Sequence, residues 1–253
     1  MPDINPLRLY SHLTTLQSIS GLGFTVTLVV HSTAICLAPL GLDKANGAML
    51  LGRELYQTRL EPLLVHGAIA GHVVAGVGKR LILRHLRKRR GKGRDLKKEA
   101  ATVNADELKG TLRYHAETGY LLIPILGVHL ILNRHLPLSH FGDSAFLDFT
   151  FVTAALERYP ICTSLGLSGL SLLGVYHCVS GLPVIWRRLH SSESEKGTHK
   201  RLKRKWSYGA AFGWSALMVV GLMAIGGVFS SRRIKIPLRR DYYAIMDRVG
   251  FLF

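Results

Sequence analysis

Cysteine is scarce in this 253-residue chain, with only Cys36, Cys162 and Cys178. An odd count at wide spacing builds no disulfide framework and fits no metal site, so filler in or near apolar segments is the expectation for all three. Acidic residues are also few, sixteen against thirty-three Lys and Arg, giving a formal charge of +17. No glycine-rich nucleotide loop is present, and no serine, cysteine or carboxylate pair has the spacing of a nucleophilic or hydrolytic site. Near Met1 there is neither a basic-then-apolar signal peptide nor an Arg-rich presequence, so the cellular address must be read from the membrane segments.

The most telling absence is local. No Asp, Glu, Lys or Arg interrupts Leu9–Leu42, Pro62–Gly78, Thr118–Asn133, Tyr159–Trp186 or Trp206–Ser231. A bilayer core takes ~20 mainly apolar residues per helix, and long basic side chains at the ends can snorkel to the interface. The reading is therefore all-α: a polytopic membrane protein with five transmembrane helices, the shorter second and third runs extended by Arg80, Arg84 and Arg134. One of those two being re-entrant is the open alternative.

Strong positive charge in a soluble protein would point to nucleic acid. Here it flanks membrane segments, so no nucleic-acid partner is expected and anionic lipid headgroups are the counter-surface. The candidate headgroup residues are Lys79, Arg80, Arg84, Arg87, Lys88, Arg89 and Arg90. The run from Lys79 to Lys98 and that from Arg187 to Lys205 fall on one side if five helices alternate. The positive-inside rule then places Met1 in the cytosol, although Arg232, Arg233, Lys235, Arg239 and Arg240 oppose it.

Residues 1–16 read as a polar cytosolic arm and 17–90 as a first pair of spans, with a loop of about twenty residues between them holding Arg53, Glu54, Tyr56 and Gln57. A basic loop covers 91–111, with Asp95 to Lys109 suited to a surface helix. Residues 112–189 form a second pair of spans, 190–205 a second basic loop and 206–230 a fifth, flanking helix. The tail 231–253 places Tyr242, Ile245, Met246, Val249 and Phe253 at helical spacing, as in an interfacial helix. Gly166, Ser168, Gly169, Ser171 and Gly174 suit tight packing or a polar groove, while Gly209-x-x-x-Gly213 and Gly226-Gly227 suggest helix contact.

Four histidines lie inside apolar runs. Ser20-Gly21 leads to His31 and Pro39-Leu40, and Thr118-Gly119 leads to His129 and Pro137-Leu138 at the same separations. Glu54-Leu55-Tyr56 then precedes His72 and Gly76, as Glu157-Arg158-Tyr159 precedes His177 and Gly181. The order implies a duplicated two-helix unit forming a four-helix bundle with one flanking helix. Imidazole in hydrocarbon needs a partner. Two readings stay open: His72 with His177, and His31 with His129, ligate haem b, or all four are scaffold hydrogen-bonding neighbouring helices. His66, His115, His190 and His199 are expected to be solvated instead.

His72-Val-Val-Ala-Gly76-Val-Gly-Lys-Arg80, preceded by Ser18-Ile19-Ser20-Gly21, resembles the haem-b anchor subunits of succinate dehydrogenase and fumarate reductase. That likeness implies haem ligation by His72 and, through the repeat, His177, with electron transfer to or from quinone. A broader resemblance, over roughly residues 15 to 250, is to the MCP-type multi-pass adaptors of the fungal mitochondrial outer membrane. It is carried by Arg53-Glu-Leu-Tyr-Gln-Thr-Arg-Leu-Glu-Pro-Leu-Leu64, Gly71-His-Val-Val-Ala-Gly76, Thr118-Gly-Tyr-Leu-Leu-Ile-Pro124 with His129 and Asn133-Arg134, and Tyr176-His177 with Gly181-Leu-Pro183. This second resemblance implies a non-enzymatic protein that recruits a bridge-like lipid-transfer protein to contact sites and supports lipid supply, extending to phospholipid scrambling. Family members recruit through a proline-containing motif in a longer N-terminus. Here only Pro2 and Pro6 precede the first span.

Overall fold

A computed structural model describes residues 5–57, 59–88, 113–143, 147–189, 198–229 and 234–249. The described elements are helical: α1 (Pro6–Leu37) ending in a 3-10 turn (Ala38–Leu40), α2 (Leu42–Tyr56), a π-helical turn (Pro62–Gly67) opening α3 (Ala68–Lys88), α4 (His115–Leu130) running through a second π segment (Ile131–His135) into α5 (Leu136–Phe141), then α6 (Phe149–Arg158), α7 (Pro160–Leu189), α8 (Thr198–Ile225) and α9 (Arg239–Asp247). No strand occurs among the described residues.

Four segments are long and apolar enough to cross a membrane: Pro6–Leu40, His115–Phe141, Pro160–Trp186 and Trp206–Ile225. Between 6% and 28% of each apolar window is buried within the protein. Most of the Leu, Ile and Val on these helices therefore faces outward, which water would penalise and acyl chains favour. Pro62–Lys88 is helical throughout, but Lys79, Arg80, Arg84 and Lys88 make its second half less apolar than these four.

The chain divides into two compact units. Unit 1 comprises Met1–Leu28, Tyr56–Arg113 and Ser180–Tyr208, so its described helices are the start of α1, α3, the end of α7 and the start of α8. Unit 2 comprises Val29–Leu55, Tyr114–Val179 and Gly209–Phe253. Its larger core gathers Ala34, Ile35 and Ala38 of α1, Ala45 and Met49 of α2, Phe149 of α6, Val175 and Val179 of α7, and Ala211, Met218 and Ile225 of α8.

Several expectations are corrected. The polar arm of residues 1–16 is mostly the first turns of α1: Pro6 suits a first helical position, and Asn5 Oδ1 accepts from the Leu7 N–H at 3.0 Å. The loop expected after the first span contains α2, whose Ala45, Met49 and Gly52 are buried. Before the fourth span lies α6, started by Asp148, whose carboxylate caps the Thr150 N–H at 2.8 Å, and joined to α2 by a 3.0 Å bond from the Phe149 N–H to Asn46 Oδ1. The surface helix expected over Asp95–Lys109, the Gly91-Lys92-Gly93 break and the first half of the second basic loop, 190–197 with His190, lie outside the described residues, whereas 198–205, expected as loop, are the first turns of α8.

The tail's apolar stripe is satisfied inside the protein. Tyr242, Ile245 and Met246 of α9 are fully buried with Leu147, Phe151, Ala154 and Ile236, and the Tyr242 and Phe151 rings meet edge-on at 5.1 Å. Charged groups frame this contact. Asp247 accepts from the Tyr159 hydroxyl at 2.8 Å and pairs with Arg158 at 3.3 Å, while Glu157 accepts from the Tyr243 hydroxyl at 3.2 Å and pairs with Arg239 at 3.4 Å. The Tyr159 hydroxyl and the Arg158 guanidinium hold the Asp247 carboxyl below its ordinary range.

Candidate functional site: histidines clasped on glycines

In unit 1, α3 lays one face on α1. The His72 Nδ1 lies 3.1 Å from the Gln17 carbonyl, and a carbonyl can only accept, so Nδ1 carries the proton. Gly21 makes room for the ring: a Cβ there would stand 3.2 Å from Nδ1. Further along the same face, Gly76 meets the Gln17 amide at 3.0 Å and Gly78 meets Leu13 at 3.0 Å, each measured to the position a Cβ would take. The run ends at Lys79, which is buried with its ammonium 5.3 Å from the Tyr10 ring centre.

Unit 2 repeats this arrangement with different residues. The His177 Nδ1 donates to the His115 carbonyl at 2.8 Å, and a Cβ at Gly119 would stand 2.7 Å from its Cε1. In both units the carbonyl belongs to the residue four before the glycine, and the glycine follows Ser20 or Thr118. Thr118 donates to the same His115 carbonyl at 2.9 Å. The His115 ring also stacks flat on His177, with centroids 4.2 Å apart and an interplanar angle of 9°. Expected to be solvated, His115 is instead partly buried and is the partner of His177. Its place four residues before Gly119, matching Gln17 before Gly21, is the signal that could have found it.

The other two expected site residues meet each other in unit 2. The His31 and His129 rings lie edge to face, 6.0 Å apart at 74°. Immediately after His129 the helix takes its π form, and Asn133 donates to the His129 carbonyl at 3.0 Å and to its Nδ1 at 3.2 Å. The side-chain amide thus binds the His129 carbonyl and fixes its imidazole at the same time.

The chemistry open to these rings follows from their partners. With Nδ1–H bound to carbonyls, His72 and His177 keep the Nε2 lone pair, the tautomer a haem iron would need. The contacts themselves are those of helix packing: a carbonyl, a glycine and, for His177, a second ring. They account for two half-buried imidazoles without a cofactor. Among the described residues no group of three His, Cys, Asp or Glu side chains could hold a metal ion.

Of the expected headgroup residues, Arg80, Arg84 and Lys88 are exposed on α3 while Lys79 is buried. Arg89 and Arg90 lie outside the described residues, as does the side chain of Arg87. Arg188, which the sequence pairs with Arg187 at the close of the fourth span but which is not among the expected headgroup residues, bonds the Ser11 and Thr15 hydroxyls of α1 at 2.9 and 2.6 Å from the end of α7. The small stretch of α7 is open at Gly166 and Gly169, while Ser171 is buried and Gly174 lies against Leu122. Nothing lies within 4 Å of where a Cβ would stand at Gly166 or Gly169, and the same holds for Gly209 and Gly213 of α8. The close crossing in this region is at Gly221, where a Cβ would stand 2.1 Å from the Ile35 carbonyl oxygen.

No curated protein and no solved structure matches the chain. The resemblance to haem-b anchors therefore rests on His72–Arg80 and the preceding Ser18–Gly21 and finds no support in these comparisons. Residues 124–235 match the family model described as MDM10-complementing protein 1, transmembrane domain. That region takes in the end of α4 from Pro124 onward and all of α5, α6, α7 and α8, and with them His129, His177, Asn133 and Gly221. Residues 124–235, a little under half of the chain, are thus similar to the transmembrane domain of the MDM10-complementing protein 1 family, a likeness that fits a mitochondrial membrane protein.

Proposed function

We propose that the protein is a five-span adaptor of the mitochondrial outer membrane, with its N-terminus in the cytosol. In this reading it maintains lipid homeostasis at contact sites by recruiting a bridge-like lipid-transfer protein and by letting phospholipids cross between leaflets. The observation that carries the reading is the family match over 124–235, in a chain whose spans leave most of their apolar surface for lipid. The fifth span is Pro62–Lys88, whose charged second half sits where long basic stems reach headgroups. Duplication of a two-helix unit explains why His72 and His177 make the same carbonyl-and-glycine contact.

The crossing step has a physical requirement. A zwitterionic headgroup avoids the hydrocarbon core unless polar groups line its path. The open stretch of α7 meets part of that requirement: Ser164 and Gly166 are exposed and Ser168 is half-buried, where the missing side chains leave a shallow recess. The basic end of α3 supplies cations at the interface where a headgroup enters.

Reconstitution tests this. Purified protein in liposomes carrying fluorescent phospholipid, challenged with a membrane-impermeant reductant, should allow both leaflets to be bleached. Half-bleaching indistinguishable from empty vesicles would remove scrambling. In cells, deleting the protein should release the lipid-transfer partner from mitochondria, and its unchanged recruitment would remove the adaptor role.

A further inference from the structure

Two cations that the sequence holds more than a hundred residues apart arrive at adjacent turns of α1. Lys79 comes from α3 onto the ring of Tyr10. From the end of α7, Arg188 reaches the next residue, bonding Ser11 through its carbonyl at 3.2 Å and its hydroxyl at 2.9 Å, and reaching Thr15 Oγ1 through Nη2 at 2.6 Å and Nε at 3.1 Å. From Tyr10 to Thr15 the helix rises ~7.5 Å, so both charges are anchored on adjacent turns of α1.

Neutral acceptors hold the guanidinium in place without cancelling its charge. Among the described residues of unit 1 the single carboxylate is Glu61, at the opposite end of the helical stretch that carries Lys79. At ~1.5 Å per residue that is roughly 27 Å away, well beyond a Debye length. Arg188 uses its Nε and Nη2 edge on α1, which leaves the Nη1 amide hydrogens for another acceptor. It follows the apolar span Pro160–Trp186 by two residues, and Trp186 is exposed beside it, as aromatic side chains are at headgroup depth.

We infer that Arg188, positioned by Ser11 and Thr15, is the seat for the phosphate of one anionic phospholipid. The inference rests on reading the chain as a lipid-handling membrane protein and adds to it a specific residue and a lipid class. Both Arg188 and Arg84 are exposed, but Arg188 is fixed in direction by its bonds to Ser11 and Thr15 before the lipid arrives. Preorganisation of that kind distinguishes a seat from a diffuse basic surface.

The test uses the full chain purified in a neutral detergent and titrated with dioctanoyl phosphatidic acid, with bound lipid counted by native mass spectrometry. One phosphatidic acid should be retained, and dioctanoyl phosphatidylcholine should bind at least about tenfold more weakly. Arg188→Gln should weaken phosphatidic acid by about tenfold or more. Arg84→Gln, which removes the same charge from an exposed site, should change it less than about fivefold. Arg188→Lys keeps the charge and the fold but loses the fork, and should fall between wild type and Arg188→Gln. Equal losses for Arg188→Gln and Arg84→Gln, or wild-type affinity in Arg188→Gln, overturn the seat. Displacement by inorganic phosphate as readily as by phosphatidic acid overturns the lipid assignment in favour of a soluble anion. The bleaching assay in liposomes reads the broader function separately, so failure of one leaves the other standing.

Discussion

Gly221→Ala should be among the most damaging small substitutions in the protein. In α8 a Cβ at this position would lie 2.1 Å from the Ile35 carbonyl oxygen, 2.8 Å from its carbon and 3.0 Å from Cγ2. A carbon rests ~3.3 Å or more from a carbonyl oxygen, so the backbones of α1 and α8 must separate by over about 1 Å. The obstacle is backbone, which no rotamer change relieves. Around it lie Ala34, Ala38, Ala211, Met218 and Ile225, whose close contacts would open with it. Overpacking of this kind costs ~1–3 kcal/mol, and the rigid partner places this case at the upper end. For a chain of this size ~3 kcal/mol corresponds to a fall of roughly 6–12 °C in midpoint. Gly213→Ala, in the same helix and with open space around it, should gain helix propensity and melt unchanged or a few degrees higher. Thermal unfolding of the three proteins in one detergent, followed by intrinsic fluorescence, decides the matter. A Gly221→Ala midpoint within 2 °C of wild type, on a measurement resolving about 1 °C, would refute the close crossing, and so would an equal loss in Gly213→Ala.

Two further outcomes follow from other contacts. Gly119→Ala places a Cβ 2.7 Å from the His177 ring and Gly21→Ala places one 3.2 Å from His72, so the first should cost ~1–3 kcal/mol and the second less, measured on the same unfolding curves. The depressed Asp247 carboxyl stabilises the docked α9 above the ordinary pKa of 3.8 and loses that contribution as pH falls through its lowered folded value. Limited proteolysis of the C-terminal segment should accelerate below about pH 4 in wild type, and Asp247→Asn should show the faster rate already at pH 6.

What the sequence made legible were features with a one-dimensional signature. Charge-free runs announced the four apolar spans, because excluding Asp, Glu, Lys and Arg for twenty residues has few other physical causes. The recurrence of Ser/Thr-Gly and of His-x-x-x-Gly pointed to paired surroundings, and His72 and His177 do share a carbonyl and a glycine. Less legible was which glycine matters. The Gly209-x-x-x-Gly213 spacing advertised a contact, yet both glycines face open space, while Gly221 has no spaced partner and makes the close crossing. Gly226-Gly227 also proved different from a packing signal. Gly227 adopts φ +78°, and the Gly227 and Val228 N–H groups return to Ala224 and Met223, which is a helix stop. Helices α2 and α6 were missed because short amphipathic segments between spans read as loops until their partners, such as Asn46 for the Phe149 N–H, are known.

The polar groups of the spans divide into two kinds, and the division says where assembly energy resides. Thr14, Ser20, Thr25 and Ser32 each donate to a carbonyl three or four residues back on their own helix, at 3.0, 2.7, 2.7 and 3.1 Å. Such bonds satisfy a hydroxyl in hydrocarbon but hold nothing together between helices. Those that do bridge, among the described residues, include the two histidine clasps, Arg188 on Ser11 and Thr15, Trp214 Nε1 to Ser32 at 3.2 Å, Thr153 to the Ile225 carbonyl at 2.8 Å and Thr163 to the Ala155 carbonyl at 3.0 Å. Without a hydrophobic drive between helices in lipid, close approach at glycine and a handful of hydrogen bonds must supply cohesion. The histidines therefore need no catalytic role to justify their place. Each joins two helices at a point where glycine brings the backbones near, and the wide remainder of the apolar surface is left to the bilayer the protein is proposed to serve.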